Sequence, residues 1–109
     1  MRTNIPTTFR RNGYDYELLR AETTPSCSHV YAIYAQSRHG SVCAYEAMRL
    51  RERPERVIGD TVVPAGPKLP GNEAWGTDGF TLQTEAKAHA RLAEMIEQDI
   101  QNATKRKAA

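Results

Sequence analysis

Residues Ser28–Arg53, SHVYAIYAQSRHGSVCAYEAMRLRER, decide the fold. Two runs rich in Val, Ile, Tyr and Ala flank the polar turn Ser37-Arg38-His39-Gly40, the mark of a β-hairpin. With Gln36 and Ser41 flanking the turn, Cys43 faces Tyr34 and Cys27 faces Leu50. One face then carries Val30, Ala32, Tyr34, Cys43, Tyr45, Ala47 and Arg49. The other carries His29, Tyr31, Ile33, Ala35, Val42, Ala44, Glu46, Met48 and Leu50. Both faces are partly apolar, so both need cover, and a one-residue slip would exchange partners and faces.

Working outward toward the N-terminus, residues 1–8 read as a loose arm and Asn12-Gly13 as a turn. Tyr14–Arg20 alternates, with Tyr14, Tyr16 and Leu18 on one face, which predicts a first strand. Thr23-Thr24-Pro25-Ser26 ends it, since proline cannot donate to a ladder. In the other direction, residues 57–80 form a strap punctuated by Pro64, Pro67, Pro70 and several glycines, with Val62-Val63 as a short edge strand. Segments this long without periodicity are often functional. Trp75 and Phe80 are the anchors expected to pin it to the sheet.

Thr84 opens a helix, with Glu85 near its positive end. Ala88, Leu92, Ala93, Met95, Ile96 and Ile100 fall on one side; Lys87, Arg91, Glu94, Gln98 and Gln101 fall on the other. The helix is expected to end near Gln101, with 102–109 as a tail. The fold class is therefore α+β: one domain spanning 1–109, a three- to four-stranded, mostly antiparallel sheet packed against one C-terminal helix, in the order β-β-β-strap-α.

The chain has 109 residues, 39% of them hydrophobic, with net charge +2. That suits one modest core. The segment MRTNIPTTFRR lacks the apolar core of a secretory signal, and no apolar run reaches the ~20 residues that span a bilayer. A soluble, cytoplasmic protein without membrane association is expected. On the assumed register Cys27 and Cys43 lie roughly 23 Å apart, too far for the ~7 Å limit of a disulfide. Two free thiols in a reducing compartment follow.

Cys27, His29, His39 and Cys43 are a donor set that zinc accepts, but the hairpin separates His39 at the turn from His29 near the far end, so no metal is expected. His89 on the helix's apolar side reads as a boundary residue in preference to a general base. No nucleophile–histidine–carboxylate spacing appears. No catalytic residue and no cofactor is expected, and the protein reads as a non-enzyme. Pro64, Pro67 and Pro70 repeat at the polyproline period, yet a stiff strap explains them better than a docking ridge.

The strongest surface signal is cationic and aromatic. Arg49, Arg51 and Arg53 alternate along one strand and Arg56 follows, with Tyr45 on the same face and Tyr34 expected beside it. Such a surface suits an arginine-anchored protein interface or single-stranded nucleic acid, and Glu52 and Glu55 offer a bland neutralisation. Trp75 is either a plug between strap and sheet, the preferred reading, or the tip of a binding loop. The basic ends, Arg2, Arg10 and Arg11 at one and Lys105, Arg106 and Lys107 at the other, serve solubility or a nucleic-acid footprint. The candidate binding residues are Arg49, Arg51, Arg53, Arg56, Tyr45, Tyr34 and Trp75.

Phe9–Leu18 (FRRNGYDYEL), the Val-Tyr-Ala-Ile-Tyr run, Tyr45-Glu46, and Glu73-x-Trp75-Gly76-x-x-Gly79-Phe80 before an Ala-rich helix together resemble a group of small phage- and prophage-encoded proteins. The resemblance implies a mobile-element origin. By analogy of size and origin it implies a non-enzymatic inhibitor of a host defence complex, such as an anti-CRISPR protein. Its partner would be a host protein or ribonucleoprotein. The alternative is a small nucleic-acid-binding domain using the sheet face and basic tails.

Overall fold

The computed structural model describes residues 5–24 and 27–108, leaving aside the side chains of Cys27, Ser28, Asn72 and 106–108. Strand β1 (Thr8–Arg11) turns through Asn12-Gly13 into β2 (Tyr14–Thr24), followed by β3 (Cys27–Arg38) and β4 (Ser41–Arg53). Then come β5 (Arg56–Ile58), β6 (Thr61–Val63), β7 (Gly66–Lys68), a 3₁₀ turn at Asn72–Ala74, β8 (Gly79–Leu82) and helix α1 (Glu85–Ala108). Among the described residues the strands form a six-stranded antiparallel sheet in the order β1-β2-β3-β4-β7, with β8 also on β4, and a separate β5-β6 ribbon. The α+β class and C-terminal helix are as expected. The sheet is wider because β1, β7 and β8 join it: the loose arm becomes a strand from Thr8, and the strap supplies an edge at each end of β4.

Two turns set the geometry. Asn12-Gly13 has φ of 56° and 83°, and His39-Gly40 has φ of 54° and 81°. Two successive left-handed residues match the right-handed twist of a hairpin. The β3-β4 turn is thus two residues long, and the ladder continues through Arg38↔Ser41 and Ser37↔Val42. Next, Gln36 pairs with Ala44, so Cys43 is the extra residue of a bulge. Beyond it Tyr34 faces Glu46 and Tyr31 faces Arg49. The expected register is therefore wrong by an odd slip. Tyr34 and Tyr45 stand on opposite faces of the sheet and are not neighbours.

A second bulge matters for the helix. Leu18 pairs with Tyr34 and Arg20 with Ile33, so Leu19 is unpaired and the alternation of β2 reverses there. Leu18 stays on the face with Tyr14 and Tyr16, while Arg20 reaches His89 of α1 at 2.9 Å.

Both faces are covered. On one, Tyr16, Val30, Ala32, Tyr34, Met48 and Leu50 pack under Ile5, Phe9, Leu69 and Trp75. Phe9 stacks on Tyr16 at 4.5 Å and meets Tyr34 edge-on at 5.0 Å, and the Tyr34 hydroxyl donates to the Pro6 carbonyl. On the other, Tyr31, Ile33 and Ala47 meet Ala88, Leu92 and Met95 of α1. Burying Leu92 and Met95 contributes about 1.5–3 kcal/mol each. Thr84 caps the helix, its Oγ1 accepting from the Lys87 amide at 3.2 Å. The helix continues past Gln101 to Ala108, with Ala103 buried; Ala93 and Ile100, expected inward, are exposed.

Candidate functional site

The candidate residues of β4 divide between structure and surface. Arg49 is buried, not presented. Its Nη1 donates to Asp78 Oδ1 at 2.9 Å and its Nε to Asp99 Oδ2 at 2.8 Å, where the Tyr31 hydroxyl also donates. Arg51 donates to both carboxylate oxygens of Asp78, from Nε at 2.8 Å and Nη2 at 3.0 Å. Arg53 reaches the Pro64 carbonyl, closing the base of the β5-β6 ribbon. Arg56 is exposed on that ribbon. Tyr34 is buried, its hydroxyl pushed up to about 12 by desolvation. Tyr45 is half-buried on the helix side. A shared arginine–tyrosine surface therefore does not form: Tyr45, Ala47 and Arg49 of β4 face the helix, and the register sends Tyr34 to the other face.

The Arg49–Asp78–Arg51–Asp99 network lies beside a cleft of about 470 Å³ between α1 and the sheet. Burial pushes the Asp78 carboxyl up, but the bonds from Arg51 and Arg49 outweigh it and hold it below the usual range. Asp78 in turn holds the Arg51 guanidinium above its ordinary value. The His29 imidazole is pushed down, first by burial and then by the neighbouring Arg51 charge. The charges are spent on one another, so the network clamps helix, strap and sheet.

The opposite face holds a smaller cavity of about 190 Å³, lined by Arg11, Tyr14, Tyr16, Gln36, Glu46 and Trp75 among others. Glu46 is 4% exposed. Its Oε2 accepts from Thr81 Oγ1 at 3.1 Å, while Oε1 is buried with no hydrogen-bond partner. Desolvation raises its pKa, against the lowering effects of Thr81 and Arg11. Arg11 donates from Nη1 to the Pro70 carbonyl, and its Nε is buried and unpartnered. Trp75 is half-buried here, as the plug reading requires, and its Nε1 donates to Thr81 Oγ1 at 3.0 Å. Sequence reading placed Arg11 only in the basic N-terminal end and assigned Glu46 no role. The available signal was a lone acid in an apolar run, Ala44-Tyr45-Glu46-Ala47-Met48.

His89 accepts at Nδ1 from Arg20 and has Nε2 at 3.1 Å from Glu85. Arginine only donates, so both ring nitrogens are occupied in a boundary position. Among the described residues no three of His, Cys, Asp and Glu gather as a metal site. Cys43 is a free, exposed thiol; the Cys27 thiol lies outside the described residues, as do Arg2 and the side chains of Arg106 and Lys107. No described helix is long and apolar enough to cross a membrane.

The third feature is the β5-β6 ribbon itself. It pairs Arg56↔Val63, Val57↔Val62 and Ile58↔Thr61 and belongs to no other sheet. Val57, Ile58 and Val62 are 65%, 55% and 57% exposed. The Cα radius of gyration, 15.0 Å, exceeds the ~13 Å of a compact chain of this length. No family model, curated protein or solved structure matches the chain.

Proposed function

We propose that the protein is a non-enzymatic binding module that docks on a partner protein through the β5-β6 ribbon. The carrying observation is the cross-strand pair Val57 and Val62, with Ile58 on the reverse side, all exposed on a two-stranded ribbon outside the main sheet. An isolated ribbon of this size is marginal in water, and exposed apolar groups concentrated on it are the usual mark of an interaction surface. The Val57↔Val62 pair is apolar, which suits a protein surface and not a phosphate backbone. Arg53, bonded to the Pro64 carbonyl, fixes where the ribbon leaves the body.

Together with the resemblance to phage-borne proteins, this reading makes the partner a host defence complex, inhibited by occupancy. The test compares the wild type with Val57→Thr/Ile58→Thr/Val62→Thr as bait in host lysate, with size-exclusion chromatography of each. A defence-complex subunit retained by the wild type and lost by the variant supports the reading. Identical captured sets, no retention above bare matrix, or a dimer that the substitutions convert to monomer overturns it.

A further inference from the structure

The cavity around Glu46 presents two unmet requirements. Glu46 Oε1 is a buried acceptor without a donor, and Arg11 Nε is a buried donor without an acceptor. Burying such groups unpaired is unfavourable, more so when they are charged. A cationic ligand would satisfy Glu46 and be repelled by Arg11; an anionic one would do the reverse. A planar edge that places N–H groups beside a carbonyl answers both.

The walls narrow the choice. Tyr14, Tyr16 and Trp75 line the cavity, and the Arg11 guanidinium lies 6.0 Å from the Trp75 ring centre. Flat surfaces favour a flat, stackable ligand. At about 190 Å³ the cavity is below the range of drug-sized pockets and fits one ring system. Arg38, exposed, stands 5.5 Å over the Tyr14 ring and places a cation at this wall.

We propose that this cavity binds a guanine base, with Glu46 accepting from its N1–H and N2–H groups, Arg11 donating to O6, and the aromatic rings stacking on its faces. Guanine is the common base that puts two adjacent donors beside a carbonyl; adenine offers a single exocyclic donor beside a ring acceptor. On this proposal Arg38, over the Tyr14 ring, is the nearby cation for the phosphate of a nucleotide. Burial raises the Glu46 pKa in spite of the bond from Thr81 and the charge of Arg11. The inference is independent of the ribbon, which plays no part in the cavity.

The test is titration of the full chain with guanosine monophosphate, read by the emission of Trp75, the sole tryptophan. A saturable change is expected, with adenosine monophosphate about tenfold weaker or more, the effect of one mispaired edge. Glu46→Gln, which cannot accept both donors, should weaken guanosine monophosphate to a similar degree at unchanged far-ultraviolet dichroism. If that variant does not fold, discrimination between the two nucleotides decides alone. A thymidine oligomer carrying one guanine separates sources: tighter binding than the mononucleotide assigns a single strand, weaker binding a free nucleotide. No saturable response to either guanine probe, or equal response to adenosine monophosphate, overturns the proposal.

Discussion

On the helix side of β4, Arg49 is buried against two carboxylates, and every charged group it touches is paired in turn. On the strap side of the same strand, Glu46 is buried about as deeply, with one oxygen bonded and the other bare. The two environments lie three residues apart and use the same chemical groups. The contrast teaches that a buried charge becomes scaffold when its partners arrive from other parts of the chain, here from Asp78 and Asp99 far downstream. Where the chain supplies only part of the set, an unmet demand remains for something else to fill.

The largest test of that contrast is Asp78→Asn. It removes the partner shared by Arg49 and Arg51 and leaves a buried guanidinium underpaired, with an expected loss of about 3–5 kcal/mol in urea unfolding. A loss below about 1 kcal/mol would show that the network is not the clamp. Next is Gly79→Ala: an added Cβ would sit 2.4 Å from the Trp75 ring, so the indole must move. About 1–3 kcal/mol of destabilisation and a red-shifted tryptophan emission are expected.

Glu46→Gln should act in the opposite sense to Asp78→Asn. The folded-state pKa of Glu46 is raised, so its contribution favours folding below the ordinary value of 4.5 and is lost as pH climbs through the folded value. Asp78 is depressed, so its contribution is present at neutral pH and lost as acid protonates it. At neutral pH the glutamine variant should therefore match or exceed the wild type by up to ~1 kcal/mol. The gain should vanish in acid, so that the variant loses stability more steeply as pH falls. A variant that is less stable at neutral pH and recovers in acid would invert the reading. The smallest effect is expected at the ribbon, where Val57→Thr with Val62→Thr should change stability by less than about 0.5 kcal/mol.

The long elements were legible because length lets a period show. β2, the β3-β4 hairpin and the amphipathic stripe through Ala88, Leu92, Met95 and Ile96 all announced themselves. β1, β7 and β8 did not: three or four residues carry no readable alternation, and Pro67 in β7 argues for a strap even while its neighbours pair with β4. The register failed for a local reason, because the bulge at Cys43 and the left-handed His39 are invisible to a residue-type pattern. The arginine row was readable as a row, but the burial of Arg49 within it was not. That burial depends on Asp99, a carboxylate within the helix's apolar stripe that only the folded contact explains.

The ribbon's turn at Gly59-Asp60, where Gly59 has φ of 61°, stands clear of both hydrophobic layers. Exposed tips of this kind accept inserted sequence with little penalty. A short epitope or a small fluorophore-labelling peptide grafted between these two residues should leave β4 and the helix undisturbed. The chain thus carries its own permissive socket for a reporter, placed beside the valines whose engagement it would announce.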